Sequence, residues 1–194
     1  MSLGVGFADP VLDSQRAFRS VLDALAHPGR VATLSGPEAP PAPLGPASAA
    51  VCLTLLDFET PLWLDALAAS AAARDYLRFH CGVPLVDAPG DARFALIADP
   101  SAMPPLDAFD VGTDERPDRS ATLIIQVGAL HAGRGRRLSG PGIDGEARLD
   151  VEGLPPGFWD AVRANAARFP RGVDLLLCAD HQLAALPRTT RVEG

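Results

Sequence analysis

Lysine is absent from this chain: all seventeen basic residues among its 194 are arginines. That absence excludes a phosphate-loop lysine reaching a nucleotide, and it excludes a lysine amine forming a Schiff base with pyridoxal phosphate or a carbonyl substrate. Cysteine is scarce as well. Cys52, Cys81 and Cys178 are odd in number and widely spaced in mostly apolar settings, which speaks against a disulfide framework and against a CxxC metal site. They read as reduced, buried small hydrophobes. No run approaches the roughly 18 apolar residues of a membrane span, and MSLGVGFADP has no basic segment followed by a long apolar one, so a cytoplasmic protein without membrane contact is expected. Positive charge is in deficit. A formal net charge of -7 and a pI of about 5.0 repel polyanions and exclude duplex nucleic acid as a main partner.

What is present is the profile of one globular domain over residues 1–194, with 47% hydrophobic and 21% charged residues. Residues 13–26 predict a helix with Asp13 as its cap and Phe18, Val21, Leu22 and Leu25 on one face, stopped by Pro28 and Gly29. RVATL (30–34) reads as a strand and GPEAPPAPLGP (36–46) as a loop. A buried helix over 47–57, a short strand over 60–64 and an amphipathic helix over 70–80 follow. Strands are expected at 94–99 and at 121–130, the latter apolar on both faces and so central in a sheet covered on two sides. The segment 104–118 reads as irregular or a short helix, 155–169 as a helix, and 172–179 with 183–186 as a strand pair. Strands interleaved with helices predict a three-layer α/β/α architecture with a mixed central sheet.

The stretch GRGRRLSGPGI (133–143) concentrates three arginines and four glycines. It matches neither a phosphate loop nor a dinucleotide turn. Two readings stand. In one, Gly133 and Gly135 make a hairpin turn with Arg134 and Arg136 solvated, followed by a tight Gly-Pro-Gly loop. In the other, Arg137 and the amides around Gly140 to Ile143 face an anionic ligand or partner, because guanidinium and successive N–H groups match phosphate oxygens. No histidine lies in a metal-ligand pattern. His27 and His80 read as helix-end histidines, and His131 and His181 lie in turns. Ser139 lacks a nucleophile-elbow context. Asp57, Glu59 and Asp174 are possible acid/base partners that one sequence cannot bring together.

The ordered set DSQRAFRSVLDALAHPG, LTLLDFETPLWL, LRFHCGVPLV, ATLIIQV, RLSGPGI, FPRGVDLLL and LAALPRTTRVE resembles, in order and spacing and over nearly the whole chain, the PhnH family. That family is the H subunit of the bacterial carbon-phosphorus lyase system for phosphonate use. Departures lie in the Pro-rich loop after residue 35 and in the segment 99–118. The resemblance implies a subunit working with the G, I and J proteins, helped by an ATP-binding L component, in making a ribose 1-phosphonate 5-triphosphate from ATP and a phosphonate. It further implies a homodimer in isolation, a fold like that of pyridoxal-phosphate-dependent transferases, and no cofactor of its own. ATP or phosphonate would be met within the complex. The family-pattern positions are Phe18, Arg19, Pro28, Gly29, His80, Gly140, Pro141, Gly142, Ile143, Pro187, Arg188, Thr189 and Thr190. An alternative keeps an autonomous nucleotide- or phosphonate-binding enzyme, with Arg19, Arg78, Arg137 and Arg188 as phosphate clamps.

Overall fold

The first helix, α1 (Pro10–Ala26), begins three residues before the predicted start. In the computed structural model, which describes residues 4–193, Asp9 is the cap: its carboxylate accepts from Val11 N at 3.1 Å and Leu12 N at 3.0 Å. Asp13, expected to be the cap, instead accepts from Asp9 N at 2.9 Å, closing a reciprocal pair around the orphan amides. Pro10 follows the cap, where its missing N–H costs nothing. The face also differs from expectation. Ala17, Val21 and Ala24 are buried and Leu25 packs at the core's edge, whereas Phe18 and Leu22 are 45% and 49% exposed.

After β1 (Ala32–Thr33) and the Pro-rich loop, α2 (Pro46–Leu55) is buried continuously from Ala47 to Cys52 and lies between α1 and the next helix. β2 (Leu62–Leu64) leads to α3 (Ala71–Cys81), which is capped by Ser70 Oγ accepting from Ala73 N and ends at Gly82 in a left-handed conformation. β3 (Leu85–Val86), β4 (Phe94–Ile97) and β5 (Thr122–Gln126) follow, with short 3-10 turns alone between β4 and β5, as expected for an irregular segment. The predicted strand over 121–130 splits. Val127 and Gly128 leave β5 and open β6 (Ala129–Ser139), which pairs with β7 (Ala147–Glu152) in a separate sheet. α4 (Phe158–Ala166), β8 (Asp174–Ala179), β9 (Gln182–Leu186) and β10 (Arg191–Glu193) complete the chain.

The main sheet is mixed, seven-stranded and ordered β1-β9-β8-β5-β4-β2-β3; β3, β2, β4, β5 and β8 run parallel, β9 is added antiparallel to β8, and β1 pairs antiparallel with β9 and so runs with the other five. β5 is its middle strand, as the double-faced apolar run predicted. Its alternation divides the core: Ile124, Leu176 and Leu183 face α1, α2 and α3, whereas Leu123, Ile125, Leu175 and Leu177 face the opposite side. The opposite layer departs from the predicted helical one. It is built from α4 and the antiparallel sheet β10-β6-β7, which contribute Phe158, Val162, Leu130, Leu138, Leu149 and Val192 to the second core. β10 has only three residues and one buried side chain, too little pattern to read from sequence.

The glycines of GRGRR do not turn the chain. β6 runs through them with a bulge, in which both Ala132 and Arg136 oppose Leu149 and Gly133 and Gly135 take φ of 81° and 83°. The reversal to β7 comes later, between Ser139 and Ala147. The Gly-Pro-Gly loop is part of that turn.

Candidate functional site

Three of the family-pattern segments converge beside the small sheet. The end of α1 supplies Pro28 and Gly29, the β6–β7 turn supplies Gly140 to Ile143, and the segment before β10 supplies Pro187 to Thr190. Their contacts are backbone-close. A Cβ at Gly142 would be built into the Ala26 carbonyl, with Pro28 Cδ 3.1 Å away, and one at Gly140 would lie 2.9 Å from Thr189 O. A Cβ at Gly29 would lie 2.8 Å from Leu138 Cδ1. Thr190 is buried and its Oγ1 has no hydrogen-bond partner among the described residues.

A cleft of about 550 Å³ opens where the first two of these segments meet β6 and β7. Its walls include His27, Arg30, Gly133, Gly142, Ile143, Asp144, Glu146 and Arg148. His27 Nδ1 lies 3.0 Å from the Asp23 carboxylate, and Arg30 reaches the other oxygen of that carboxylate at 3.6 Å. The lining residues include no hydroxyl, thiol or lysine amine. Such a cleft can seat polar or charged groups, and of the side chains able to act as nucleophiles or proton carriers it offers the His27 imidazole and the Asp144 and Glu146 carboxylates.

On the far side of Arg148 lies a second, smaller depression of about 260 Å³, lined by Gly135, Arg136, Arg137, Arg148 and Glu193. Register places Arg137 directly opposite Arg148. Arg137 donates to Glu193 at 2.5 Å and Glu146 at 3.3 Å, and Arg148 Nε lies 3.4 Å from Glu146. The Glu193 carboxylate, and then Glu146, hold the Arg137 guanidinium charged even beyond the ordinary arginine range. Sequence reasoning singled out Arg137 and missed Arg148, Arg30 and Glu146. A turn centred between Gly142 and Ile143 would have paired 137 with 148.

The remaining sequence candidates lie apart. Phe18 and Arg19 are exposed on α1; Arg78 is exposed on α3. His80 is tied down, with Nε2 2.9 Å from Gly4 O and its ring against Tyr76 and Phe79, which is the helix-end role expected of it. Arg188 is committed to structure: it donates to Asp174 Oδ1 at 3.2 Å, Asp174 Oδ2 at 2.5 Å and Pro117 O at 2.6 Å. Asp174 is thereby engaged, and no hydrogen bond or ion pair joins it to Asp57 or Glu59 among the described residues. The four proposed clamp arginines thus stand on four different segments.

In open α/β sheets ligands ordinarily sit at the carboxyl ends of the parallel strands. Here that edge is closed by Gln126 at the end of β5. Its Oε1 accepts from Gly45 N at 2.6 Å and Ser48 Oγ at 2.5 Å, and its Nε2 donates to Pro43 O at 2.9 Å. The depression left there is about 190 Å³.

All three cysteines are free thiols, Cys52 and Cys178 buried and Cys81 half-buried. Burial pushes Cys81 and Cys178 up to about 12 and Cys52 well above its usual range, so none is a thiolate at neutral pH. Among the described residues no group of three or more His, Cys, Asp or Glu side chains is placed to hold a metal ion, and no helix is long and apolar enough to cross a membrane.

Comparison with known proteins gives a consistent picture. Residues 5–193 match the family described as bacterial phosphonate metabolism protein (PhnH). The chain is 46% identical over 187 residues, covering 96% of it and 94% of the relative, to the Rhizobium meliloti (strain 1021) protein named alpha-D-ribose 1-methylphosphonate 5-triphosphate synthase subunit PhnH. It is 37% identical over 180 residues, 92% of it and 85% of the relative, to the putative C-P lyase subunit protein HtxG of Stutzerimonas stutzeri.

Proposed function

The chain belongs to the PhnH family of bacterial phosphonate metabolism proteins, and from that membership we propose that it is a single-domain subunit of the assembly that makes alpha-D-ribose 1-methylphosphonate 5-triphosphate in phosphonate breakdown. Its partners are the other carbon-phosphorus lyase subunits, G, I and J, in the cytoplasm, and it forms a homodimer when alone. Its likeness in fold to pyridoxal-phosphate-dependent transferases belongs to this reading, without the covalent cofactor chemistry that a chain lacking lysine cannot perform.

The observation that carries the subunit role is the uncovered apolar stripe on α1. Val11, Phe18 and Leu22 recur at i, i+7 and i+11, on one line of the helix, and are 76%, 45% and 49% exposed. Large apolar side chains left in water along one line of a helix offer a surface on which another chain can dock. On this reading the glycosyl-transfer chemistry resides on a partner subunit or on a site completed by one.

The test is co-expression with the G, I and J subunits, with Phe18→Asp/Leu22→Asp beside the wild type. The variant should melt within about 2–4 °C of wild type, because both side chains are already half in water, yet fail to co-purify. Light scattering on the isolated wild type should give a dimer mass. Turnover of ATP and methylphosphonate by the isolated chain would instead establish the autonomous enzyme.

A further inference from the structure

We propose that the depression between β6 and β7 is a binding site for a small tetrahedral oxyanion of the phosphate or phosphonate class, held by Arg136, Arg137 and Arg148. The proposal concerns binding by the chain itself and does not rest on its role as a subunit.

The first support is the bulge. Along a regular strand, neighbours point to opposite faces, so the residue before an outward Arg137 should face the core with Leu138's register partner set. Arg136 opposes Leu149, which is fully buried, yet Arg136 is exposed and lines the same depression as Arg137. The extra residues of the bulge re-aim it. The re-aiming is enforced by Gly135: at φ 83°, with Leu149 O 2.5 Å and Asp150 Cα 2.6 Å from where a Cβ would be, no other residue fits.

The second support is the cross-strand pair. Arg137 and Arg148 are direct register partners, an arrangement of like charges that works against pairing of the two strands. The sheet retains it by bracing Arg137 between Glu193 and Glu146, with Glu146 also reaching Arg148. Those carboxylates occupy some of the donors of each fork, since a guanidinium has five N–H groups. They hold the Arg137 plane from two sides and touch Arg148 at one point, a partial preorganisation of the kind bidentate oxyanion recognition uses.

The third support is size. About 260 Å³ holds one tetrahedral group with several waters, each occupying about 30 Å³. It is too small for a peptide segment, and three of its five lining residues are arginines in a chain of net charge -7. The recognition element sits on the stretch that concentrates arginine and glycine, but its donors come from the bulge and the facing strand rather than from the amides of the Gly-Pro-Gly turn.

The test is calorimetric titration of the full chain at matched ionic strength with inorganic phosphate, methylphosphonate and tripolyphosphate as separate ligands. Saturable binding of one or more is expected, weakened about tenfold by Arg148→Gln and by Arg137→Gln, the loss of one charged hydrogen-bonding fork at an exposed site. Arg148→Lys, which keeps charge and sheet pairing, should bind more weakly than wild type and more tightly than Arg148→Gln. Arg171→Gln, on an exposed ion pair with Asp114, should bind as wild type does. The three ligands separate the sources: preference for phosphate or methylphosphonate indicates a single-group ligand, and preference for tripolyphosphate a polyphosphate-bearing one. The proposal is overturned if none of the three binds saturably, if Arg148→Gln and Arg148→Lys bind as wild type does, or if the arginine variants lose only co-purification with partner subunits and keep oxyanion binding.

Discussion

Replacing Gly142 by alanine should destabilise the chain markedly, and replacing Gly145, three residues along the same turn, should do so mildly. Both glycines have positive φ, 82° and 72°. An L-residue in that conformation costs about 1–2 kcal/mol. The two differ in their surroundings. Gly145 has nothing within 4 Å of a built Cβ, whereas at Gly142 the Cβ would enter the Ala26 carbonyl oxygen and lie 3.0 Å from its carbonyl carbon. The obstacle is backbone at the end of α1, which cannot rotate away as a side chain would. Overpacking of this kind adds about 1–3 kcal/mol. At about 2–4 °C per kcal/mol for a chain of this size, Gly145→Ala should lower Tm by about 2–8 °C and Gly142→Ala by a further 2–12 °C or so. Differential scanning calorimetry on the purified variants measures the difference directly. Melting of the two variants within about 2 °C of each other would refute the close approach of the turn to α1, and with it the convergence of the family-pattern segments on one surface.

Arg188→Met should cost about 2–3 kcal/mol, toward the low end for a broken ion pair because Arg188 and Asp174 keep 15% and 22% exposure; a urea midpoint that does not move, or a double variant with Asp174→Asn that is fully additive, contradicts the pairing. The thiols should react slowly: iodoacetamide at pH 8 should label the native protein at least about 100-fold more slowly than the unfolded chain, and rapid labelling of half-buried Cys81 would contradict its desolvation. The same shifts set a pH dependence. Cys81 and Cys178 titrate near 9 when unfolded and at about 12 when folded, and Tyr76 moves from 10 to about 12, so the stability tied to their protonated forms is complete below pH 9 and lost as pH rises toward 12; a Tm flat across that window would contradict it.

Where one residue's local chemistry decides an element, the sequence was readable. Ser70 marks the start of α3, and the double-faced run at Leu123 to Ile125 marks the central strand. Where two patterns competed, it was not. α1 carries two apolar stripes, and the one with larger side chains faces water, because the helix packs closely against alanine-rich α2 and Ala17 and Ala24 permit that approach. The small sheet was illegible for another reason. Its bulge glycines look like turn glycines, and only knowing where the chain reverses aligns Arg137 with Arg148. The candidate surface was legible as a set of segments, at Pro28, Gly140 to Ile143 and Thr190, and so was Arg137; Arg148 is brought beside it by register and Arg30 by the turn after α1.

Gln126 has a further consequence. With one side chain taking the Gly45 amide and the Ser48 hydroxyl and giving its own amide hydrogen to Pro43, the start of α2 carries an internal ligand, covalently tethered and present at every concentration. A tethered ligand has no dissociation to wait for, so an incoming anion must displace three hydrogen bonds together before gaining any of its own. At the end of the central strand, where comparable sheets take small molecules, the Gly45 amide and the Ser48 hydroxyl of this chain are already engaged by its own side chain.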